Sequence, residues 1–103
     1  MRRRVVYHFV WDPVKARANA AKHRVTFRLA TSVFRDPLAL TVYDDEHSEV
    51  EERWATLGQA GNGQYLVVIH TWKHQSPKEI AVRIISARRA TKEEMRNYQE
   101  QPR

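Results

Sequence analysis

Residues 80–88 read Ile-Ala-Val-Arg-Ile-Ile-Ser-Ala-Arg, and this stretch decides the fold because it is the last of three neighbouring strand-like segments. The two before it are residues 53–59 and 65–73. Gly61-Asn62-Gly63 joins the first pair, and glycine and asparagine accept the positive φ angles of a tight hairpin. A polar turn at residues 74–78 joins the second pair. The sequence therefore predicts antiparallel hairpins.

Three helices are indicated by their capping residues. Asp12-Pro13 opens the first, because aspartate accepts an unpaired backbone N–H and proline at the first helical position loses no hydrogen bond. Thr26 caps the second, which stops at Asp36-Pro37. Thr91 and Glu94 have the spacing of a capping box and predict a C-terminal helix.

Two more strands complete the predicted fold. Residues 4–10 and 38–43 show the alternation of strands. The expected class is α+β, with a mostly antiparallel sheet of four to five strands, two N-terminal helices and a C-terminal helix. We expect the helices to pack on one face of the sheet.

One domain, residues 1–103, is expected from the length, with a basic tail at residues 1–4. The chain has no cysteine, which excludes disulfides, a thiolate nucleophile and any cysteine-ligated metal site. Its longest apolar run, residues 65–69, is far shorter than the roughly 20 residues that cross a membrane. The first residues lack the long apolar core of a secretory signal, so we expect a cytoplasmic protein with no membrane partner.

Charge is segregated along the chain and sums to +6. Residues 1–35 contain nine basic residues and one acid, residues 36–52 contain seven acids and no base, and residues 53–103 contain nine bases and four acids. Arginine outnumbers lysine thirteen to five, which suits bidentate contact with phosphate groups. This balance favours a nucleic-acid partner over the alternative, a solvated surface with a basic bias.

The motifs of the common cofactor enzymes are absent from the sequence, which has no phosphate-binding glycine loop, dinucleotide fingerprint, zinc-protease motif or serine-hydrolase motif. His47 lies among Asp44, Asp45 and Glu49, but this spacing matches no defined metal loop and favours a solvated segment. We therefore expect neither a metal nor a cofactor. The remaining basic, aromatic and imidazole groups suit RNA cleavage, in which the 2′-hydroxyl attacks while the protein supplies a base, an acid and cations.

Arginine inside a strand needs a partner or a groove, because burying its charge costs free energy. Arg83 lies within apolar residues 80–88, and two alternatives stay open for it: phosphate binding and a salt bridge to the acidic block. Arg53 has the same two alternatives. A regular strand puts Arg83 and Arg88 on opposite faces. His70, in the most apolar strand, is expected to be a hydrogen-bonded core residue.

A series of short motifs extends over residues 7–98, nearly the whole domain. They are Trp11-Asp12-Pro13, Lys22-His23, Val33-Phe34 before Asp36-Pro37-Leu38, His47-Ser48 with Glu51 or Glu52 and Arg53, His70-Thr71, Arg83-Ile84-Ile85-Ser86-Ala87-Arg88-Arg89-Ala90, and finally Glu94 and Tyr98. With these residues the sequence resembles the BrnT family of bacterial ribonuclease toxins, the toxin half of BrnT–BrnA type II toxin–antitoxin modules. Trp-Asp-Pro near the start together with Arg-Ile-Ile-Ser-Ala-Arg near the end is the most specific part.

The resemblance implies a RelE-like fold and a bacterial toxin that cleaves RNA as a metal-independent endoribonuclease and inhibits translation. It also implies neutralisation by a BrnA-type antitoxin, whose DNA-binding domain lets the complex bind operator DNA and repress its own operon. Carried over residue by residue, it points to Arg53 and Arg83 as phosphate-holding catalytic residues, His47 and Tyr98 as proton-transfer groups, and Lys22, His23, Arg88 and Arg89 as RNA-binding residues. Histidine suits proton transfer because its ordinary pKa of about 6.5 leaves both forms available at neutral pH.

Two positions depart from the family pattern. Arg24 stands where glycine usually follows Lys-His at a left-handed helix end, and Arg28 stands at an often acidic position. The helix junction is therefore expected to differ from that of its relatives. The alternative to an enzyme is a non-catalytic nucleic-acid-binding or antitoxin-docking module with the same basic groove, and RNA cleavage that survives chelation of metals distinguishes the two.

Overall fold

Five strands form one sheet in the computed structural model, which describes residues 4–102 apart from the side chain of His47. In chain order they are β1 (Val6–Val10), β2 (Leu40–Tyr43), β3 (Trp54–Gln59), β4 (Tyr65–Ser76) and β5 (Glu79–Arg89). Their spatial order is β1-β5-β4-β3-β2, with β1 parallel to β5 and the other neighbours antiparallel. The predicted α+β class is confirmed. Most of the predicted basic tail, residues 1–3, lies outside the described residues.

The three predicted helices are present, and their caps are the predicted ones. They are α1 (Pro13–His23), α2 (Phe27–Thr31), which continues as a 3-10 turn at Ser32–Arg35, and α3 (Lys92–Gln99). The Asp12 carboxylate accepts from the Val14 amide at 2.8 Å, and Thr91 and Glu94 form both bonds of a capping box. No helix within residues 4–102 is long and apolar enough to span a membrane.

The turn between β3 and β4 uses the glycine that the sequence provides. Gly63 has φ 89°, a conformation that side chains with a Cβ atom rarely adopt. Its amide donates to the Ala60 carbonyl at 2.9 Å, and the Ala60 amide donates to the Gln64 carbonyl at 2.7 Å. The hairpin predicted from Gly61-Asn62-Gly63 is therefore confirmed, because the two strands leave this turn in register.

The hydrophobic core lies between one face of the sheet and helices α1 and α2. Alternate residues of β4 and β5 face it, and its fully or nearly fully buried members include Phe27, Val33, Leu66, Val68, Val82, Ile84 and Ala87. Asn19 of α1 is buried and fixes this helix to the sheet. Its side-chain amide donates to the Ala87 carbonyl at 2.9 Å and accepts from the Ala87 amide at 3.1 Å. We name the face of the sheet that α1 and α2 cover the helix-covered face.

His70 is buried in that core, as predicted. Its side chain is 0 % exposed, its Nε2 atom lies 2.7 Å from the Thr56 hydroxyl, and its ring packs edge-on against Phe34. Burial lowers the pKa of His70 to about 4, so the imidazole is neutral at physiological pH. This imidazole is therefore a structural group rather than one that reaches a ligand.

Helix α3 lies on the other face of the sheet, so the expectation that all helices pack on one face is wrong. Tyr98 of α3 stacks on Tyr65 with ring centroids 5.2 Å apart. Tyr65 alternates along β4 with the core residues Leu66 and Val68 and so points away from them. The rest of this second face carries no helix in the described chain, and we name it the open face.

The junction between α1 and α2 is strained at one residue. Arg24 follows α1 with φ 59° and ψ 31°, the left-handed conformation, and its amide donates to the Ala20 carbonyl at 3.0 Å. It is the one non-glycine residue with positive φ in residues 4–102. The junction thus keeps the geometry for which glycine is the usual residue, although arginine occupies it.

Candidate functional site

A bulge in β5 brings two arginines to the open face. Ile69 pairs with Ser86 and the next residue of β4, His70, pairs with Ile84, so Ile85 is an extra residue in β5. The extra residue shifts the alternation, because Ile84 and Ala87 both face the core across an odd spacing. Arg83 and Arg88 consequently share the open face, and the expectation of opposite faces is wrong.

The open face contains a groove of about 460 Å³. Its lining residues are Val42, Tyr43, Asp44, Glu46, Arg53, Ala55, Val67, Ile69, Ile85, Ser86, Arg88 and Glu94. The floor is thus made of small and aliphatic side chains from four strands, while charged groups stand around it. Arg53, just before β3, and Arg88, near the end of β5, are the two cations of this lining.

Glu51 links the other predicted arginine to this groove. One carboxylate oxygen, Oε1, accepts a hydrogen bond from Arg83 and lies 3.7 Å from Nη2 of Arg53. The salt bridge to the acidic block, one of the two alternatives for Arg83, is therefore present. The Arg83 side chain is still 46 % exposed, so solvent and ligands reach its guanidinium group.

Arg53 is the least satisfied of the three arginines. A separation of 3.7 Å is too long for a hydrogen bond to Glu51. Its Nε atom is buried and has no hydrogen-bond partner in the described part of the chain. A buried donor without an acceptor costs free energy, so Nε is a destabilising feature, while the Arg53 side chain, 30 % exposed, lines the groove.

Arg88 is held by a bidentate ion pair. Its Nη1 and Nη2 atoms donate to the two carboxylate oxygens of Glu94 at 2.8 and 3.0 Å. The Arg88 hydrogen bonds lower the pKa of Glu94 to about 2, and the same pair raises the pKa of Arg88. Glu94 also accepts from the Thr91 amide in the capping box, so the start of α3 fixes the direction of Arg88.

The segment from Asp44 to Arg53 is closed by hydrogen bonds at its ends. The Asp44 amide donates to the Arg53 carbonyl at 2.9 Å, and the Ser48 hydroxyl accepts from the Arg53 amide at 3.0 Å. Glu46 of this segment lines the groove. The short 3-10 helix Asp45–His47 carries the predicted base, but the His47 side chain lies outside the described residues. This closure brings Arg53 and the acidic block to the same edge of the groove.

Tyr98, the second predicted proton-transfer group, is buried under α3. Its side chain is 4 % exposed and its hydroxyl donates to Asp36 Oδ2 at 2.6 Å. Burial raises the pKa of Asp36, but hydrogen bonds from the Gln59 amide, this hydroxyl and the Leu38 amide outweigh it and lower the pKa overall. The observed contacts of Tyr98 thus attach α3 to the loop before β2.

Three predicted RNA-binding residues lie away from the groove. Lys22 and His23 end α1, which packs on the helix-covered face. Arg89 pairs in register with Leu66, a core residue, and therefore projects toward the helix-covered side at the end of the sheet. The structure thus brings Arg53, Arg83 and Arg88 to the open face and does not bring these three residues to it.

Sequence reasoning missed the two carboxylates that orient the arginines. Glu94 was recognised for its place in the capping box, and Glu51 was one of seven acids in the block at residues 36–52. Nothing in their spacing shows which arginine each one meets. No group of three histidine, aspartate or glutamate side chains suited to a metal ion is present among the residues that the structure describes.

A family model described as the ribonuclease toxin BrnT of type II toxin–antitoxin systems matches residues 11–94. The chain belongs to the BrnT family. The match includes Arg53, Arg83 and Arg88 together with Glu51 and Glu94, so the BrnT region contains every group of the arginine site. A search of curated proteins found no match. BrnT membership confirms the resemblance seen in the sequence, supports ribonuclease activity, and implies an antitoxin protein as partner and RNA as target.

Proposed function

We propose that the chain is an endoribonuclease toxin that cleaves RNA in the groove of the open face, without a metal ion. The observation that carries the proposal is the convergence of Arg53 and Arg88 on one groove, with Arg83 joined to Arg53 through Glu51. A phosphodiester needs such a set of cations, because negative charge grows on its oxygens as the attacking group adds to phosphorus. Family membership supports the same reaction class.

The reaction needs only groups of the RNA and of this chain. A base removes the proton of the 2′-hydroxyl, whose oxygen then bonds to phosphorus, and the bond from phosphorus to the 5′-oxygen breaks. The leaving 5′-oxygen takes a proton from an acid, so the products are a 2′,3′-cyclic phosphate and a 5′-hydroxyl. Arg53 and Arg83 hold the scissile phosphate and Arg88 holds a neighbouring one.

Proton transfer is assigned to His47. Its backbone belongs to the 3-10 helix next to Glu46, a groove residue, and imidazole supplies both acid and base forms near neutral pH. Tyr98 serves to attach α3, and through Glu94 this helix also directs Arg88. Glu51 and Glu94 hold the guanidinium groups in place before RNA arrives, and the RNA phosphate replaces Glu51 between Arg53 and Arg83.

In the cell, the proposed activity inhibits translation in the cytoplasm until an antitoxin of the BrnA type binds the toxin. The complex then represses its own operon through the DNA-binding domain of that antitoxin. A growth assay tests this part. Expression of the chain alone arrests growth, and co-expression of a BrnA-type antitoxin restores growth.

The test of the reaction is incubation of the purified chain with RNA, with and without EDTA. The proposal predicts cleavage that survives chelation and products that end in a 2′,3′-cyclic phosphate. Binding of RNA that weakens with salt but yields no cleavage contradicts the enzyme and supports the alternative, a binding or docking module. Cleavage that EDTA abolishes contradicts the metal-independent mechanism.

A further inference from the structure

The helix layer on the helix-covered face is a second basic surface. Residues 13–35, which form α1, α2 and the following turn, contain six lysines and arginines and no acid. Within the described part of the chain none of the six pairs with a carboxylate. In the open-face groove, by contrast, Arg88 is neutralised by Glu94. The helix layer therefore presents positive charge that the chain itself leaves uncompensated.

An apolar groove of about 270 Å³ lies within this basic surface. It is lined by Trp11, Ala16, Ala20 and Phe27, and Arg17 and Arg28 stand beside them. The two alanines leave this space open, since α1 has no larger side chain at either position.

A second groove continues from the first, because Thr26 and Arg28 line both. It has a volume of about 470 Å³ and includes Arg35. The two grooves together follow α2 and the turn after it. The first groove is almost wholly apolar between its two arginines, and arginines continue along the second. This surface suits an extended or helical segment better than a small molecule.

The chemistry of this surface selects a protein segment over RNA. A phosphate backbone would be attracted to Arg17 and Arg28, but the groove between them is lined by aliphatic and aromatic side chains with almost no polar atom to bind a base edge. Trp11 and Phe27 pack edge to face at 78°, with ring centroids 6.1 Å apart, which engages them with each other rather than with a base. An apolar side chain fills such a groove, and flanking carboxylates pair with the arginines.

We propose that the α1–α2 face docks an acidic amphipathic segment of a protein partner, with an apolar side chain between Trp11, Ala20 and Phe27 and carboxylates on Arg17, Arg28 and Arg35. The identity of that partner as the antitoxin rests on the proposed function. The docking surface lies across the sheet from the arginine groove, so the partner is anchored by residues that take no part in cleavage. Positive charge at residues 17, 28 and 35 attracts the acidic segment and aligns it with the two grooves.

The experiment measures the affinity of the purified chain for a purified antitoxin of the BrnA type. The double variant Arg17→Glu, Arg28→Glu reverses two exposed charges that have no partner in the described chain. We expect its affinity for the antitoxin to fall by about 100-fold, because the two new glutamates repel the carboxylates of the docked segment. Lys73→Glu, Lys78→Glu makes the same change of charge around the β4–β5 turn and is the matched control, with an expected loss of less than about threefold.

A third variant separates the apolar contact from the charge. Ala20→Gln puts a polar side chain into the groove without changing net charge, and we expect about a 10-fold loss of antitoxin affinity. Circular dichroism of each variant checks that the fold is kept. If Ala20→Gln is unfolded, Ala16→Gln takes its place, because Ala16 lines the same groove one helical turn earlier.

RNA cleavage measured on the same proteins separates this inference from the proposed function. Full cleavage by the Arg17, Arg28 variant with lost antitoxin binding supports both. Unchanged antitoxin binding overturns the docking surface, whatever the cleavage. Loss of RNA binding with antitoxin binding intact also overturns it and makes the surface an RNA contact. Absence of cleavage by the unaltered chain, with charge-sensitive binding of the antitoxin, overturns the enzyme and leaves the docking surface standing.

Discussion

On the helix-covered face of the sheet, Val68, Val82 and Ile84 belong to one core with residues of α2, and the ionisable group buried there, His70, is kept neutral. On the open face, residues from the same strands form an apolar floor at whose edges arginines stand. The two faces are formed by alternate residues of the same strands. Within residues 4–102, the helix-covered face has no charged side chain in its core, whereas charged side chains surround the groove of the open face.

The contrast shows how a small sheet can be both core and site. The helix-covered face supplies the hydrophobic burial that stabilises the fold, since burial of apolar surface is the main favourable term in folding. Most of the open face is not covered by a helix in the described chain, so it contributes less hydrophobic burial to the stability of the fold. Arg53 can therefore lie there although its buried Nε atom has no acceptor in the described chain, which lowers the stability of the fold.

The largest expected effect is on catalysis by the open face. Arg53→Ala and Arg83→Ala should each lower the rate of RNA cleavage by about 10²–10³, because each removes a cation from the charge that develops at phosphorus. Single-turnover cleavage of a defined RNA measures the rate, and thermal unfolding checks that stability is kept. Arg96→Ala, which removes an exposed arginine of α3, is the control and should cleave at the unaltered rate. Normal cleavage by Arg53→Ala would remove Arg53 from the mechanism.

The next effect concerns acid and the helix-covered face. The folded-state pKa of His70, about 4, lies below its ordinary value, so the unfolded chain binds a proton more readily than the folded chain. The corresponding stability is full above about pH 6.5 and is lost as pH falls toward 4, by roughly 3 kcal/mol in total. Urea unfolding at several pH values measures this slope. His70→Gln should unfold with a flatter pH dependence over that range, and an unchanged slope would contradict the assignment.

Close packing of the same face sets the third effect. A Cβ atom on Gly58 would lie 2.8 Å from Val33 Cγ1, and neither group has room to move in the core. Gly58→Ala should therefore destabilise the protein by about 1–3 kcal/mol, as overpacking does. Gly61→Ala is the matched control, since its Cβ atom would meet Ser32 at an ordinary 3.6 Å. Equal unfolding midpoints for the two variants would show that β3 accommodates the methyl group.

The smallest effect lies at the helix junction. Arg24→Gly should stabilise the protein by about 1 kcal/mol, because glycine adopts the left-handed conformation without the cost that a Cβ atom adds. Arg24→Ala removes the charge but keeps the backbone penalty, so it should unfold close to the unaltered chain. Chemical denaturation compares the three proteins. If alanine stabilises as much as glycine, repulsion among the basic residues and not backbone strain is the cause.

The parts of the structure that depend on neighbouring residues were predictable from sequence. Asp12, Thr26 and Thr91 cap helices through bonds two or three residues away, and Gly63 closes a tight turn, so each signal is complete within a short stretch. His70 was assigned to the core because its strand is so apolar. The family was predictable because its motifs are spread over most of the chain.

The parts that depend on pairing between distant segments were not predictable. The bulge at Ile85 exists only in the register of β5 against β4, and without it Arg83 and Arg88 would face opposite ways. Glu51 meets Arg83 across 32 positions of sequence, a contact that no local pattern encodes. The placement of α3 on the open face likewise depends on Tyr98 reaching Asp36 and Tyr65.

The most direct test of the central claim, that open-face arginines act together on one phosphate, is a double-mutant cycle of Arg53→Ala and Arg83→Ala in single-turnover RNA cleavage. Groups that stabilise one transition state are strongly non-additive. We therefore predict that the double variant is slower than the worse single variant by less than about 10-fold. Effects that multiply in full would mean that the two arginines act independently, and would contradict a shared site.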